Sequence, residues 1–159
     1  MHPNVDRVVT AARAARLDIT VERFPEGTRT ADDAARAVGC EVGQIVKSLV
    51  FMADEAPVLA LVSGANRVDL ELLATALDAA EARRATGDEA RGATGFAIGG
   101  VPPFGHAEPM TVLIDRDLLS HDQLWAAAGL PDAVFQITPH ALVRASRGRV
   151  VDLADAGMA

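Results

Sequence analysis

Ile45-Val46-Lys47-Ser48-Leu49-Val50-Phe51 is apolar on both faces of any strand it forms, as the central strand of a covered sheet is. Pro57-Val58-Leu59-Ala60-Leu61-Val62 reads the same way, and Ala53-Asp54-Glu55-Ala56 between the two predicts a hairpin connection. Lys47 is the one lysine among fifteen basic residues. In a chain rich in Ala and Arg and without Tyr, a retained lysine points to a position where arginine would not serve. Arginine is always charged and forks to planar anions, whereas lysine carries a compact charge whose pKa shifts on burial. In a strand Lys47 shares a face with Ile45, Leu49 and Phe51, and Ser48 takes the other face. A directly bonded Ser-Lys pair is therefore not expected. Partly desolvated, the ammonium has two uses: a cation for a phosphate or oxyanion, or a general base or nucleophile. The plain alternative is a lysine that snorkels to the surface from a strand edge.

Outward from this pair the pattern mixes helices and strands. Val5, Val8, Val9, Ala12 and Leu17 predict an amphipathic helix over 4–16, and residues 19–24 alternate as a strand. Thr30, with Asp32 and Asp33 behind it and Gly39 as the stop, bounds a short helix. Asp69 caps a helix over 70–77, and 110–115 reads as a strand. Ser120 and Gln123 form a capping-box pattern, predicting a helix through Trp125 to Gly129. Val134-Phe135-Gln136-Ile137 is a short strand, Thr138-Pro139 opens a helix with proline at its favoured place, and 150–153 is a last strand before a frayed tail. No strict βαβ rhythm appears, so the expected class is α+β on a mixed sheet, as one domain spanning 1–159.

Half of the chain is apolar and 23% is charged, which excludes a disordered linker. A single cysteine, Cys40, cannot close an internal disulfide and is expected to pack as a small apolar residue. No apolar run approaches a bilayer span, and the polar start lacks the pattern of a signal peptide, so the expected setting is cytoplasmic, away from membranes. The net charge of −7 argues against DNA and against a long nucleic-acid contact, leaving room for a small local one.

Besides Lys47, the loop Gly99-Gly100-Val101-Pro102-Pro103-Phe104-Gly105-His106 is a candidate for chemistry. Its glycines permit close backbone approach and its prolines preset its shape, as an oxyanion hole or a selective wall requires. The same composition also makes a tight surface connection. His106 can serve as acid, base or donor, or simply sit satisfied in the loop. Asp69 either only caps its helix or lends its carboxylate to a pocket, and Arg67 either helps hold a phosphate or is solvated. The four histidines show no ligand spacing, so neither a metal nor a cofactor site is expected.

Three segments in order, Gln44-Ile45-Val46-Lys47-Ser48-Leu49, Leu61-Val62-Ser63-Gly64-Ala65-Asn66-Arg67-Val68-Asp69 and Gly95–His106, resemble the YbaK/ProX family of aminoacyl-tRNA deacylases, related to the editing domain inserted in bacterial prolyl-tRNA synthetase. The likeness runs over about residues 20–153. It implies a mixed, curved sheet flanked by helices, and hydrolysis of the ester joining a wrong amino acid to tRNA, usually the proline tRNA. The family's lysine corresponds to Lys47, and its GxxxP loop to Gly99-Gly100-Val101-Pro102-Pro103. The residues and the resemblance together make Lys47, Gly99 and Gly100 the expected catalytic residues, with Val101, Pro103, Gly105, His106, Ser48 and Asp69 as the expected substrate-binding ones. The implied partners are the CCA acceptor end and a prolyl-tRNA synthetase. An activated ester needs only positioning, oxyanion stabilisation and a water, so no Ser-His-Asp set is required. A non-catalytic tRNA- or synthetase-binding module using the same pocket is the alternative.

Overall fold

The computed structural model describes residues 2–24 and 30–154. Its centre is the hairpin of β2 (Ile45–Ala53) and β3 (Ala56–Ser63), paired antiparallel from Val46↔Ser63 to Ala53↔Ala56. Asp54 and Glu55 at its tip both have positive φ (48° and 65°), the twist that suits a two-residue hairpin turn. The Asp54 carboxylate also accepts from the Ala80 and Glu81 amides, which lowers its pKa and ties the tip to the segment after α3 (Leu70–Leu77).

Around the hairpin, one mixed sheet runs β1 (Val21–Arg23), β7 (Ala133–Ile137), β6 (Leu124–Ala127), β2, β3, β5 (Thr111–Asp115), β8 (Arg149–Val151), with β4 (Ala82–Arg84) also on β2. β3–β5, β5–β8 and β2–β6 are parallel, the others antiparallel. Helices α1 (Pro3–Ala14), α2 (Ala31–Val38), α4 (Gly87–Thr94) and α5 (Pro139–Ser146) complete the α+β architecture expected from the sequence. Both faces of the hairpin are covered. Val46, Val50, Leu59 and Leu61 join the larger core with α1, α5 and Phe135, and Phe51, Val58, Ala60 and Val62 join a second core with Leu73 and Leu113.

Predicted caps act as such. Thr30 Oγ1 accepts from Asp33 N at 3.0 Å, and Gly39 ends α2 at φ 77°. Asp69 accepts from the Glu71 and Leu72 amides, and Thr138 Oγ1 accepts from Ala141 N.

The helix expected over 120–129 is not there. Ser120 closes a one-turn 3-10 helix, Arg116–Ser120, by donating to Asp117 O, so its hydroxyl is not a forward cap. Leu124 and Ala126 are buried while Trp125 and Ala127 are half-exposed, the alternation of a strand. Gly129, at φ 97°, belongs to the β6–β7 turn, where a Cβ would meet Asn4 O at 2.7 Å. β4 and α4 carry no sequence expectation, although Thr86-Gly87-Asp88-Glu89 forms a complete capping box at the start of α4. The tail beyond residue 154 lies outside the described residues.

Candidate active site

Among the described residues the second edge of β2 is paired at its ends only, by β6 and β4, which leaves its middle facing a cavity. A cavity of about 420 Å³ opens there, lined by residues 45–50 of β2, Thr30, Ala31, Ala34 and Val38 of the α2 segment, Trp125–Ala127, Arg84, and Gly99 and Val101 of the glycine-proline loop. Its walls are mainly apolar. Gly64, just past β3, also lines it. A Cβ there would lie 2.3 Å from Val42 O and 2.9 Å from Ala31 Cβ, so only glycine lets α2 close over the strand.

Lys47 is half-buried in this wall. Its Nζ donates to the main-chain carbonyl of Asn66. The Asn66 amide donates in turn to Asp115 Oδ2 and Asp117 Oδ2, both at 2.8 Å. Asp115 is 2% exposed and also accepts from Ser63 N and Asp117 N. The Lys47 pKa is lowered, first by burial and then by the neighbouring cations Arg84 and Arg67, against the opposing pull of Asp115. Among the described residues neither Lys47, Arg67 nor Arg84 sits in an ion pair, so three uncompensated like charges lie close together, Lys47 and Arg84 on the rim and Arg67 near Lys47. Such a rim attracts an anion.

The loop that carries Gly99 and Val101 is braced from behind. Gly100 abuts Leu130, whose Cα would be 2.9 Å from an added Cβ. Val101, Pro102, Pro103 and Phe104 are buried, with Phe104 against the Phe135 ring at 5.7 Å. His106 Nε2 lies 2.7 Å from Pro102 O, and burial lowers the pKa of its ring. Gly105, at φ 82°, packs on Ala11 of α1.

A family model described as an aminoacyl-tRNA editing domain matches residues 25–145. The chain belongs to that family. Among curated relatives, the proline–tRNA ligase of Limosilactobacillus fermentum is 33% identical over 106 residues, 64% of this chain and 18% of that protein. The uncharacterized protein YwhH of Bacillus subtilis is 28% identical over 130 residues, 82% of this chain and 83% of YwhH. The chain thus spans about a fifth of the length of the proline–tRNA ligases it matches. A crystal structure of a proposed trans-editing enzyme for prolyl tRNA synthetase superposes at TM-score 0.93 with 44% identity, over 98% of this chain and 99% of that one. The hypothetical protein APE2540 superposes at 0.87 with 25% identity, over 94% and 99%.

Measured against the expectations for an editing domain, Lys47, Ser48, Gly99 and Val101 come together at one cavity. Gly100, Pro103, Gly105 and His106 do not line it; they form the support of the loop. Asp69 is an N-cap away from the cavity, its carboxylate taken up by two amides. Cys40 packs beside α2 with its thiol pKa raised by burial, and its Sγ lies 3.3 Å from Glu41 O. Sequence reasoning missed Arg84, Asn66 and the α2 wall as site residues. Arg84 sits on a three-residue strand too short to show a period, yet it pairs across from Phe51 on the Lys47 face. Asp115 had a signal, a carboxylate ending an apolar run. Among the described residues no helix is long and apolar enough to cross a membrane.

Proposed function

We propose that this editing domain is a trans-acting hydrolase that cleaves the ester of a mischarged aminoacyl-tRNA, foremost a wrong amino acid on the proline tRNA. The observation that carries this reading is the shared cavity of Lys47 and the Gly99–Val101 loop, apolar inside and cationic at its rim. An aminoacyl group with a small uncharged side chain suits walls built from Ala31, Ala34, Val38 and Ala126. The phosphate of the terminal nucleotide suits the rim of Lys47 and Arg84, with Arg67 near Lys47. The net charge of −7 fits contact limited to the acceptor end.

In this mechanism the domain positions and stabilises. Lys47, held by Asn66, anchors the phosphate or the reacting carbonyl oxygen, and the main-chain N–H groups of Gly99 and Val101 receive the developing oxyanion, Gly100 N–H being taken by Ala97 O. A water attacks the ester carbon, and the neighbouring ribose hydroxyl of the tRNA assists the proton transfer. The ester bond breaks to give the free amino acid and uncharged tRNA. His106 acts only by holding the loop.

The test is a panel of proline tRNAs charged with Ala, Ser, Cys and related amino acids. Wild type should release at least one well above the spontaneous rate, and Lys47→Ala should not. A second reading, a binding module without turnover, draws on one observation: apart from Lys47, no acid–base side chain among the described residues lines the cavity. Binding of charged tRNA with no release of any amino acid would favour it.

A further inference from the structure

β2 is hydrogen-bonded to β3 from Val46 to Ala53, but among the described residues its second edge has a break. β6 pairs with Ile45 and Val46, and β4 pairs with Phe51, Met52 and Ala53. Main-chain groups alternate in direction along a strand. The Ile45 carbonyl accepts from Gly64 N at 2.7 Å on the β3 edge, and the Val50 carbonyl accepts from Ala85 N at 3.1 Å on the opposite edge. Ser48 shares the parity of Val50, so its N–H and C=O face the break. The next rung of the β2–β6 ladder would join the Ala127 carbonyl to Ser48 N–H, but the pairing stops at Val46↔Ala126. Ser48, Ala85, Ala126 and Ala127 all line the cavity at this point. Among the described residues the Ser48 hydroxyl is buried without a partner, and the residue as a whole is half-buried.

An edge left unpaired by the described residues inside a pocket is a template for a donor–acceptor pair of strand spacing. The N–Cα–C=O unit of an α-amino acid carries that pair. Among the described residues no Asp or Glu lines the cavity, and its charged members are Lys47 and Arg84. An ammonium entering it must therefore be met by carbonyls. We propose that the break in the β2 edge is the subsite for the α-ammonium of the bound aminoacyl group. The Ser48 carbonyl accepts from the ammonium, and Ser48 N–H donates to the acyl oxygen, completing the missing rung. This rests on the function proposed above and deepens it: the domain reads the backbone of the amino acid as well as the size of its side chain.

The test uses the full chain and the fastest-cleaved charged tRNA of the panel in two forms, with a free and with an N-acetylated α-amine. Acetylation removes the charge and two donors, so kcat/KM should fall by about tenfold or more, the range of a hydrogen bond to a charged group. A smaller fall overturns the proposal. In parallel, ¹⁵N-labelled protein is titrated with 3′-(alanylamino)-3′-deoxyadenosine, which cannot be hydrolysed, and with its N-acetyl form. The Ser48 amide resonance should shift with the free amine at concentrations where the acetylated probe leaves it unmoved. Shifts elsewhere in the cavity with Ser48 unmoved overturn the subsite. If no charged tRNA is cleaved, the hydrolase reading fails, and the titration alone decides the subsite.

Discussion

Lys47 Nζ donates to the main-chain carbonyl of Asn66, nineteen residues further on, so the position of the cation is set by a loop rather than by its own strand. That loop is fixed by Asp115, which is buried and takes the Asn66 amide and the Ser63 N–H on one oxygen and the Asp117 N–H on the other. Asp115→Asn places an amide against these donors, so at least one is left unsatisfied, at a cost of about 1–3 kcal/mol. The expected outcome is a lower Tm together with a fall in kcat for ester cleavage greater than any rise in KM. Unchanged kcat in the folded variant would show that Asp115 holds the fold and not the lysine.

Lys47 itself predicts a dependence on pH. Burial foremost, then Arg84 and Arg67, lower its pKa below the ordinary 10.5. Between the folded value and 10.5 the unfolded chain holds more protons, so this group makes stability rise with pH across that window, and below it the cost of the buried charge is fully present. Lys47→Met should therefore match or exceed wild-type stability at pH 7 in urea unfolding while losing ester cleavage. Lys47→Arg keeps the charge but cannot reproduce the compact contact with Asn66, and should cleave at least about tenfold more slowly. Cleavage by Lys47→Arg at the wild-type rate would contradict the anchoring role.

Helices α2 and α3 are legible in the sequence because their ends are set by their own side chains, Thr30 and Asp69, acting on amides two or three residues away. The β2–β3 hairpin is legible because both strands are buried on both faces. β6 is not, since its four residues take their form from pairing with β2 and β7, and Ser120 and Gln123 supply the letters of a cap without its geometry. Lys47 and the Gly99–Val101 loop stand out by composition, so half of the candidate site is readable in one dimension. Arg84, Asn66 and the gap beside Ser48 arise from which strands stop where, and that is a property of the sheet.

The His106 ring should act as a brace with a pH signature. Burial lowers its pKa below 6.5 despite the contact with Pro102 O. The unfolded chain then takes up a proton first as pH falls, so stability from this group is complete above 6.5 and is lost through the folded pKa. Wild type should show a falling Tm below about pH 6.5, and His106→Gln a flatter profile over the same range. Equal slopes for the two proteins would remove His106 from the acid response. Cleavage by His106→Gln should keep some activity, since the ring does not reach the cavity.

Gly64→Ala tests the closure of α2 over β2. The new Cβ would lie 2.3 Å from Val42 O and 2.9 Å from Ala31 Cβ, both tied to the wall of the cavity. Such overpacking costs about 1–3 kcal/mol. The variant should unfold at lower urea and, in its folded fraction, bind the non-hydrolysable adenosine probe less tightly. Wild-type stability would mean that α2 is free to lift.

Arg84 separates electrostatic capture from chemistry. It lines the cavity beside Lys47, its guanidinium 5.7 Å from the Phe51 ring centroid, whereas adjacent Arg83 turns to Glu55 and Glu89 at 2.8 Å each. A cation that meets one phosphate of a single strand contributes about 0.7 to the slope of log affinity against log salt. Arg84→Ala should raise KM for charged tRNA, flatten its salt dependence by about that amount, and leave kcat near wild type. Arg83→Ala should change neither KM nor the salt slope, because its charge is already spent on two carboxylates at the surface. If Arg84→Ala lowers kcat at saturating tRNA with an unchanged salt slope, the residue acts on the reacting ester and the phosphate lies elsewhere on the rim.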